Sequence, residues 1–197
     1  MIKNYLKRLF IDGLSGMASG LFATLIIGTI IAQVGTIIGS TAGDYLVAVG
    51  GFAKTITGAG IGIGVACKLK SSPLVTVSAA VAGLMGAFPN LSTEKFVMGL
   101  PGEPLGAFVA AYVAIEIGGL VSGKTKVDII VTPLVAILSG SIAGFVVGPP
   151  VSKFMGWIGE IINFGVDQQP LLCGLIVSVV MEVLGFFAIR KVVTVEY

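Results

Sequence analysis

Three ionisable residues stand inside long apolar stretches of this chain: Lys54, Glu116 and Glu182. A charge in hydrocarbon costs roughly 2.5–3.5 kcal/mol at a span centre and is seldom kept without a task. A lysine at that depth can face a wet cavity and bind an anionic group, or pair with an acid. A glutamate there can be that partner, accept a hydroxyl, carry a proton, or simply order the bundle. A second polar set stands at the ends of the apolar stretches: Asn90 in Phe88-Pro89-Asn90, Gln168 and Gln169 before Pro170, and the turn Leu100–Gly106. Each hydroxyl of a polyol both donates and accepts, so Asn, Gln and Glu beside broken helices suit such a solute. The expected substrate-binding set is therefore Lys54, Glu116, Glu182, Asn90, Gln168 and Gln169.

Other chemistries are excluded by what is missing. The chain has no histidine. That removes the commonest general base, the commonest transition-metal ligand and any histidine phosphoryl carrier, so no catalytic phosphoryl-carrying residue is expected. Cys67 and Cys173 belong to no CxxC and read as separate apolar thiols. Gly118 to Thr125 matches GxxxxGKT, but a phosphate-binding loop follows a strand and opens a helix. Here the motif closes an apolar stretch, and no ATP site is expected. No cofactor or metal is expected, and no basic patch with interleaved aromatics points to nucleic acid.

The elements that must hold these residues are membrane helices. Of 197 residues 55% are apolar and 11% charged, where a soluble domain is typically about 25% charged. Mean hydropathy is +1.04. A span needs roughly 20 mostly apolar residues, and six stretches qualify or nearly do: Gly13 to Gly39, Asp44 to Ala66, Pro73 to Pro89, Leu105 to Ser122, Val127 to Gly148 and Pro170 to Ile189. The third is short enough to be re-entrant. Charge tests the count. Six spans with an inner N-terminus leave nine basic residues inside (Lys3, Lys7, Arg8, Lys68, Lys70, Lys124, Lys126, Arg190, Lys191) and two outside (Lys95, Lys153). A re-entrant third stretch flips every later loop and gives seven inside and four outside, a weaker bias. Six spans, with both termini cytoplasmic, is the better reading. The basic N-terminus leads into a retained first helix, and Trp157 with its isoleucines suggests a short interfacial helix on the outer side.

Glycine numbers 29. GxxxG pairs at Gly16/Gly20, Gly35/Gly39 and Gly140/Gly144 predict close helix packing. The run Gly58-Ala59-Gly60-Ile61-Gly62-Ile63-Gly64 has period two, which makes no single helix face. It predicts a span that is unwound, bent, or crossing a neighbour closely. Leu14-Ser15-Gly16 recurs as Leu138-Ser139-Gly140, and at the same offset of 124 Gly20 meets Gly144 and Gly50 meets Gly174. This suggests a repeat of 14–66 in 138–189 within a single domain. The expected fold is all-α: a polytopic bundle of about six spans with broken or re-entrant segments.

The run Gly58 to Leu74, Gly140 to Gly148 and Gln168-Gln169-Pro170-Leu171-Leu172-Cys173-Gly174-Leu175-Ile176 resemble the membrane IIC proteins of the bacterial phosphotransferase system (PTS), the branch without fused IIA and IIB domains. The resemblance reaches about Gly185. Phe186 to Tyr197 departs from the family pattern, so the sequence reads as truncated there. The resemblance implies a homodimer in the bacterial cytoplasmic membrane. It implies a permease subunit that binds a sugar and passes it across while a soluble IIB protein, charged by IIA, phosphorylates it. Better characterised IIC branches use a glutamate at the sugar, a role for which Glu116 is the candidate here. The runner-up is a secondary transporter or channel outside that system, relaying an ion or proton between Lys54 and Glu116. A third reading is a membrane protein that assembles with another and transports nothing.

Overall fold

The computed structural model describes residues 7–88, 100, 102–168, 174 and 178. Every element among them is helical. The chain divides into two compact units, Met1–Ser152 and Lys153–Tyr197. Asn90, Gln169, Glu182 and most of the sixth expected span lie outside the described residues, as does the last part of the second copy of the repeat.

Helix α1 runs Arg8–Ile38, with wider π-helical turns at Arg8–Gly13 and Phe22–Ile26. Its 31 residues span roughly 46 Å. Gly39 ends it in the left-handed region, at φ 61°, where a glycine carries no Cβ penalty. Helix α2 (Thr41–Thr55) and helix α3 (Thr57–Lys68) follow, bent by 56° at Ile56. The break has a local cause: Thr55, Ile56 and Thr57 are three β-branched residues in a row, and Gly58 follows. Thr55 donates to the Gly51 carbonyl at 2.8 Å and Thr57 to the Lys54 carbonyl at 2.6 Å. Both threonines are buried, so the bend satisfies its own polar groups, as apolar surroundings demand.

Helix α4 (Pro73–Ala87) opens on a proline and follows Ser72 in extended conformation. Helix α5 (Pro104–Val121) opens in the same way, and the Glu103 carboxylate accepts from the Leu105 amide. Glu103 thus serves as a helix cap. Helix α6 runs Asp128–Gln168 with Pro133, Pro149 and Pro150 inside it. The Asp128 carboxylate accepts from the Gly123 amide at 2.8 Å and the Thr132 hydroxyl at 2.6 Å. An amide of the GKT turn is therefore already engaged by a carboxylate. In the second unit the Phe154 and Trp157 rings lie 6.4 Å apart. Trp157 belongs to α6 and does not start an interfacial helix of its own, because helical backbone persists through Pro149 and Pro150.

Among the described residues three helices are long and apolar enough to cross a membrane: Arg8–Ile38, Pro104–Val121 and Asp128–Trp157. The bent pair makes a fourth if counted as one span. Helix α4, at 15 residues, is roughly 22 Å long and falls short of the hydrocarbon thickness. Large apolar side chains face outward along these helices, Ile37 at 83% exposure and Ile129 at 73% among them. A soluble surface does not carry so much apolar area; hydrocarbon accommodates it.

Inside the first unit, glycines set the spacing. The bent pair runs antiparallel to α1, with Gly43 against Gly35, Gly50 against Gly28, Gly60 against Gly20 and Gly64 against Gly16. A Cβ on Gly16 would stand 2.6 Å from the Gly64 carbonyl oxygen, and one on Gly35 would stand 2.5 Å from that of Gly43. Backbones meeting this closely gain Cα–H···O contacts of roughly 0.5–1 kcal/mol each. Eleven residues from Gly50 to Gly60 face nine from Gly20 to Gly28. The extra length is taken up at the Ile56 bend, opposite the π-helical turn Phe22–Ile26.

The run Gly58–Gly64 is helical throughout and not unwound: the break lies just before it. Gly60 and Gly64 meet α1, while Gly58 and Gly62 meet Gly83 and Ala79 of α4. Period two thus encodes two interleaved i, i+4 faces on opposite sides of one helix. Gly86 and Gly106 join α4 to α5, and Gly140 and Gly144 seat α6 on both. Of the Gly35/Gly39 pair only Gly35 packs; Gly39 makes the turn.

Candidate functional site

This antiparallel register brings the start of α1, the end of α3, the start of α4 and the end of α5 to one end of the first unit. Lys7, Arg8, Lys68 and Lys70 belong to that end, and Lys124 and Lys126 follow α5 there. The basic clustering read from the sequence is therefore a spatial cluster.

A cavity of about 320 Å³ opens at the same end. Arg8, Lys70, Ser71, Ser72 and Ser122 line it, over an apolar floor that includes Val75 and Ile115. The Ser72 and Ser122 hydroxyls lie 2.9 Å apart and tie the start of α4 to the end of α5. One donates to the other, so one hydroxyl hydrogen of the pair stays free. Lys70 has φ 55°. Its amide bonds to the Cys67 carbonyl at 3.1 Å and the Ser71 amide to the Ala66 carbonyl at 3.0 Å. That is a Schellman closure with a lysine at the left-handed position usually given to glycine.

Glu116 lies beside this cavity on α5. Its Oε1 is 3.3 Å from Nη2 of Arg8, with side-chain exposures of 28% and 45%. The same oxygen is shielded from solvent and accepts no hydrogen bond. The contact is thus an ion pair without hydrogen-bond geometry, leaving a carboxylate oxygen short of a donor.

Lys54 lies elsewhere. It is half-buried in the last turn of α2, and its side chain passes Gly28 of α1. Among the described residues it forms no ion pair. The expected Lys54–Glu116 pair is not formed, because α2 packs on α1 and not on α5, while Glu116 stands at the level of Arg8. Of the other expected residues, Gln168 is the last residue of α6; Asn90, Gln169 and Glu182 are outside the described residues. Sequence reasoning missed Arg8, Lys70, Ser72 and Ser122. Arg8 and Lys70 had been read only as topology signals. A lysine closing a helix before Ser-Ser-Pro was the available clue.

Long apolar helices, glycine-mediated packing and a basic end define a helical membrane protein. Residues 11–189 match the profile of the family described as Phosphotransferase system, EIIC. The chain belongs to that family, and is a membrane component of the phosphotransferase type. No curated protein and no solved structure is matched by the chain.

Proposed function

We propose that this protein is a permease subunit that binds a sugar or similar small polar solute and passes it across the bacterial cytoplasmic membrane. A soluble IIB protein, charged by IIA, then phosphorylates the solute. The termini-inside orientation puts the basic end on the cytoplasmic side, and a homodimer is the expected assembly. The observation that carries the reading is the shielded Glu116 Oε1 without a donor, beside a cavity lined with hydroxyls. A sugar hydroxyl supplies the missing donor, and the serines supply both donors and acceptors. The Arg8 guanidinium, 3.3 Å away, holds the carboxylate in place at the cavity. Translocation would pair this site with movement about the Ile56 bend, since broken helices are where transporters hinge and bind.

The test is uptake into cells, or into right-side-out vesicles loaded with phosphoenolpyruvate, IIA and IIB. Uptake that requires phosphoenolpyruvate with IIA and IIB supports the proposal. Uptake that persists without them and collapses under an uncoupler overturns it in favour of a proton-linked carrier. Lys54 gives a separate prediction. It is a cation near the bend with no ion pair among the described residues, and Lys54→Met should cut uptake at least roughly tenfold, the loss of one charge-assisted contact. Unchanged uptake would exclude any contact of Lys54 with the solute along its path. Lys54 on α2 and the Arg8-bound Glu116 give a relay between them no geometric support.

A further inference from the structure

The cavity holds more positive charge than a neutral sugar needs. Lys70 contributes a full cation with no ion pair among the described residues. Arg8 shares one face of its guanidinium with Glu116 and keeps donors on the others. Ser71, Ser72 and Ser122 add hydroxyls. Ser72 does not cap α4 with its own side chain, so the first amides of that helix add their partial positive charge. The Glu116 carboxylate pairs with Arg8, which leaves Lys70 as the uncompensated cation of the cavity. Lys70 also sits where glycine would be the default, so its side chain is placed there against a local backbone preference.

We infer that this cavity is a binding site for a phosphate-type oxyanion, held by Lys70 and Arg8 with hydroxyl donors from Ser72 or Ser122. Its volume, about 320 Å³, is at the small end of ligand sites and takes a phosphate with a small body attached. A soluble phosphomonoester and the headgroup of an anionic lipid present the same chemistry. The inference stands on charge and cavity, and does not depend on uptake being coupled to phosphoenolpyruvate.

Purified protein in phosphatidylcholine nanodiscs is titrated with methyl phosphate at constant ionic strength, with chloride as the control, by calorimetry and thermal shift. A parallel set of nanodiscs contains phosphatidylglycerol, and retained lipid is counted by native mass spectrometry. Lys70→Gly is the decisive variant, since glycine suits the left-handed position and keeps the fold. Saturable methyl phosphate binding that falls roughly tenfold or more in Lys70→Gly, the loss of one charge-assisted hydrogen bond, and returns in Lys70→Arg establishes a phosphomonoester site. Retention of phosphatidylglycerol with the same variant pattern, and no methyl phosphate binding, establishes a headgroup site for the same oxyanion. Neither binding, or binding indifferent to Lys70→Gly and matched by chloride, overturns the inference.

Discussion

Gly20→Val should prevent this protein from folding. A Cβ there overlaps the Gly60 carbonyl oxygen and stands 2.8 Å from the Ile61 Cα. Both obstacles are backbone, so no rotamer change relieves them. Ordinary overpacking of a core costs roughly 1–3 kcal/mol. Here α1 and α3 must separate, losing Gly16–Gly64 and the neighbouring contacts together, and the expected cost exceeds about 4 kcal/mol, in the range reserved for specific structural disruption. Gly119→Ala is the matched control, since a Cβ at Gly119 meets nothing within 4 Å and alanine in a helix is favoured by roughly 0.5–1 kcal/mol. The measurement is the monodisperse fraction after detergent extraction, with its melting temperature. A normal melt for Gly20→Val would mean that the two helices do not touch as described.

Glu116→Gln should separate function from fold. The ion pair with Arg8 is partly exposed, so its loss changes stability by only about 0–1 kcal/mol. Uptake should fall roughly 10–100-fold, because a neutral amide replaces the charged acceptor, and hydrogen bonds to charged groups contribute about 1.5–3 kcal/mol. Exchanging the charges, Arg8→Glu with Glu116→Arg, tests whether the pair matters only as a pair. Restored stability without restored uptake assigns Glu116 to the solute. Normal uptake by Glu116→Gln alone would end its role as hydroxyl acceptor, and restored uptake in the exchange would make it a structural partner.

The helical class, the first span, and the fourth and fifth spans were legible because apolar length and lysine–arginine placement report directly on lipid. The GxxxG pairs at Gly16/Gly20 and Gly140/Gly144 were legible for a related reason, since small residues at i, i+4 have one strong physical use. The Gly58–Gly64 run was half legible. Its period excluded a single helix face, but two faces become visible only when both neighbours of α3 are known. The bend was expected within the glycines and lies at Ile56, where three β-branched residues outweigh glycine's flexibility. The candidate site was least legible. Glu116 stood out as a charge in an apolar run. Its partner did not, since Arg8 sits in a basic N-terminal segment that is sufficiently explained by topology. Ser72 and Ser122 are fifty residues apart, and no spacing in the sequence links them; only the antiparallel register of α4 and α5 joins them.

The two-sided glycine seam on α3 also decides how that helix can move. Turning α3 about its axis by one residue would drive Ile61 or Ile63 toward a carbonyl of α1 or α4, at a gap sized for hydrogen. Sliding α3 lengthwise passes bare backbone at the glycines themselves, but it drags Ile61 and Val65 through the core they share with Val75, Ala79 and Phe108. The end that would travel carries Lys70, and the Ile56 joint lies at the other. For this helix rotation and translation are both stiff, so movement at the Ile56 joint carries α3 together with the helices packed on it.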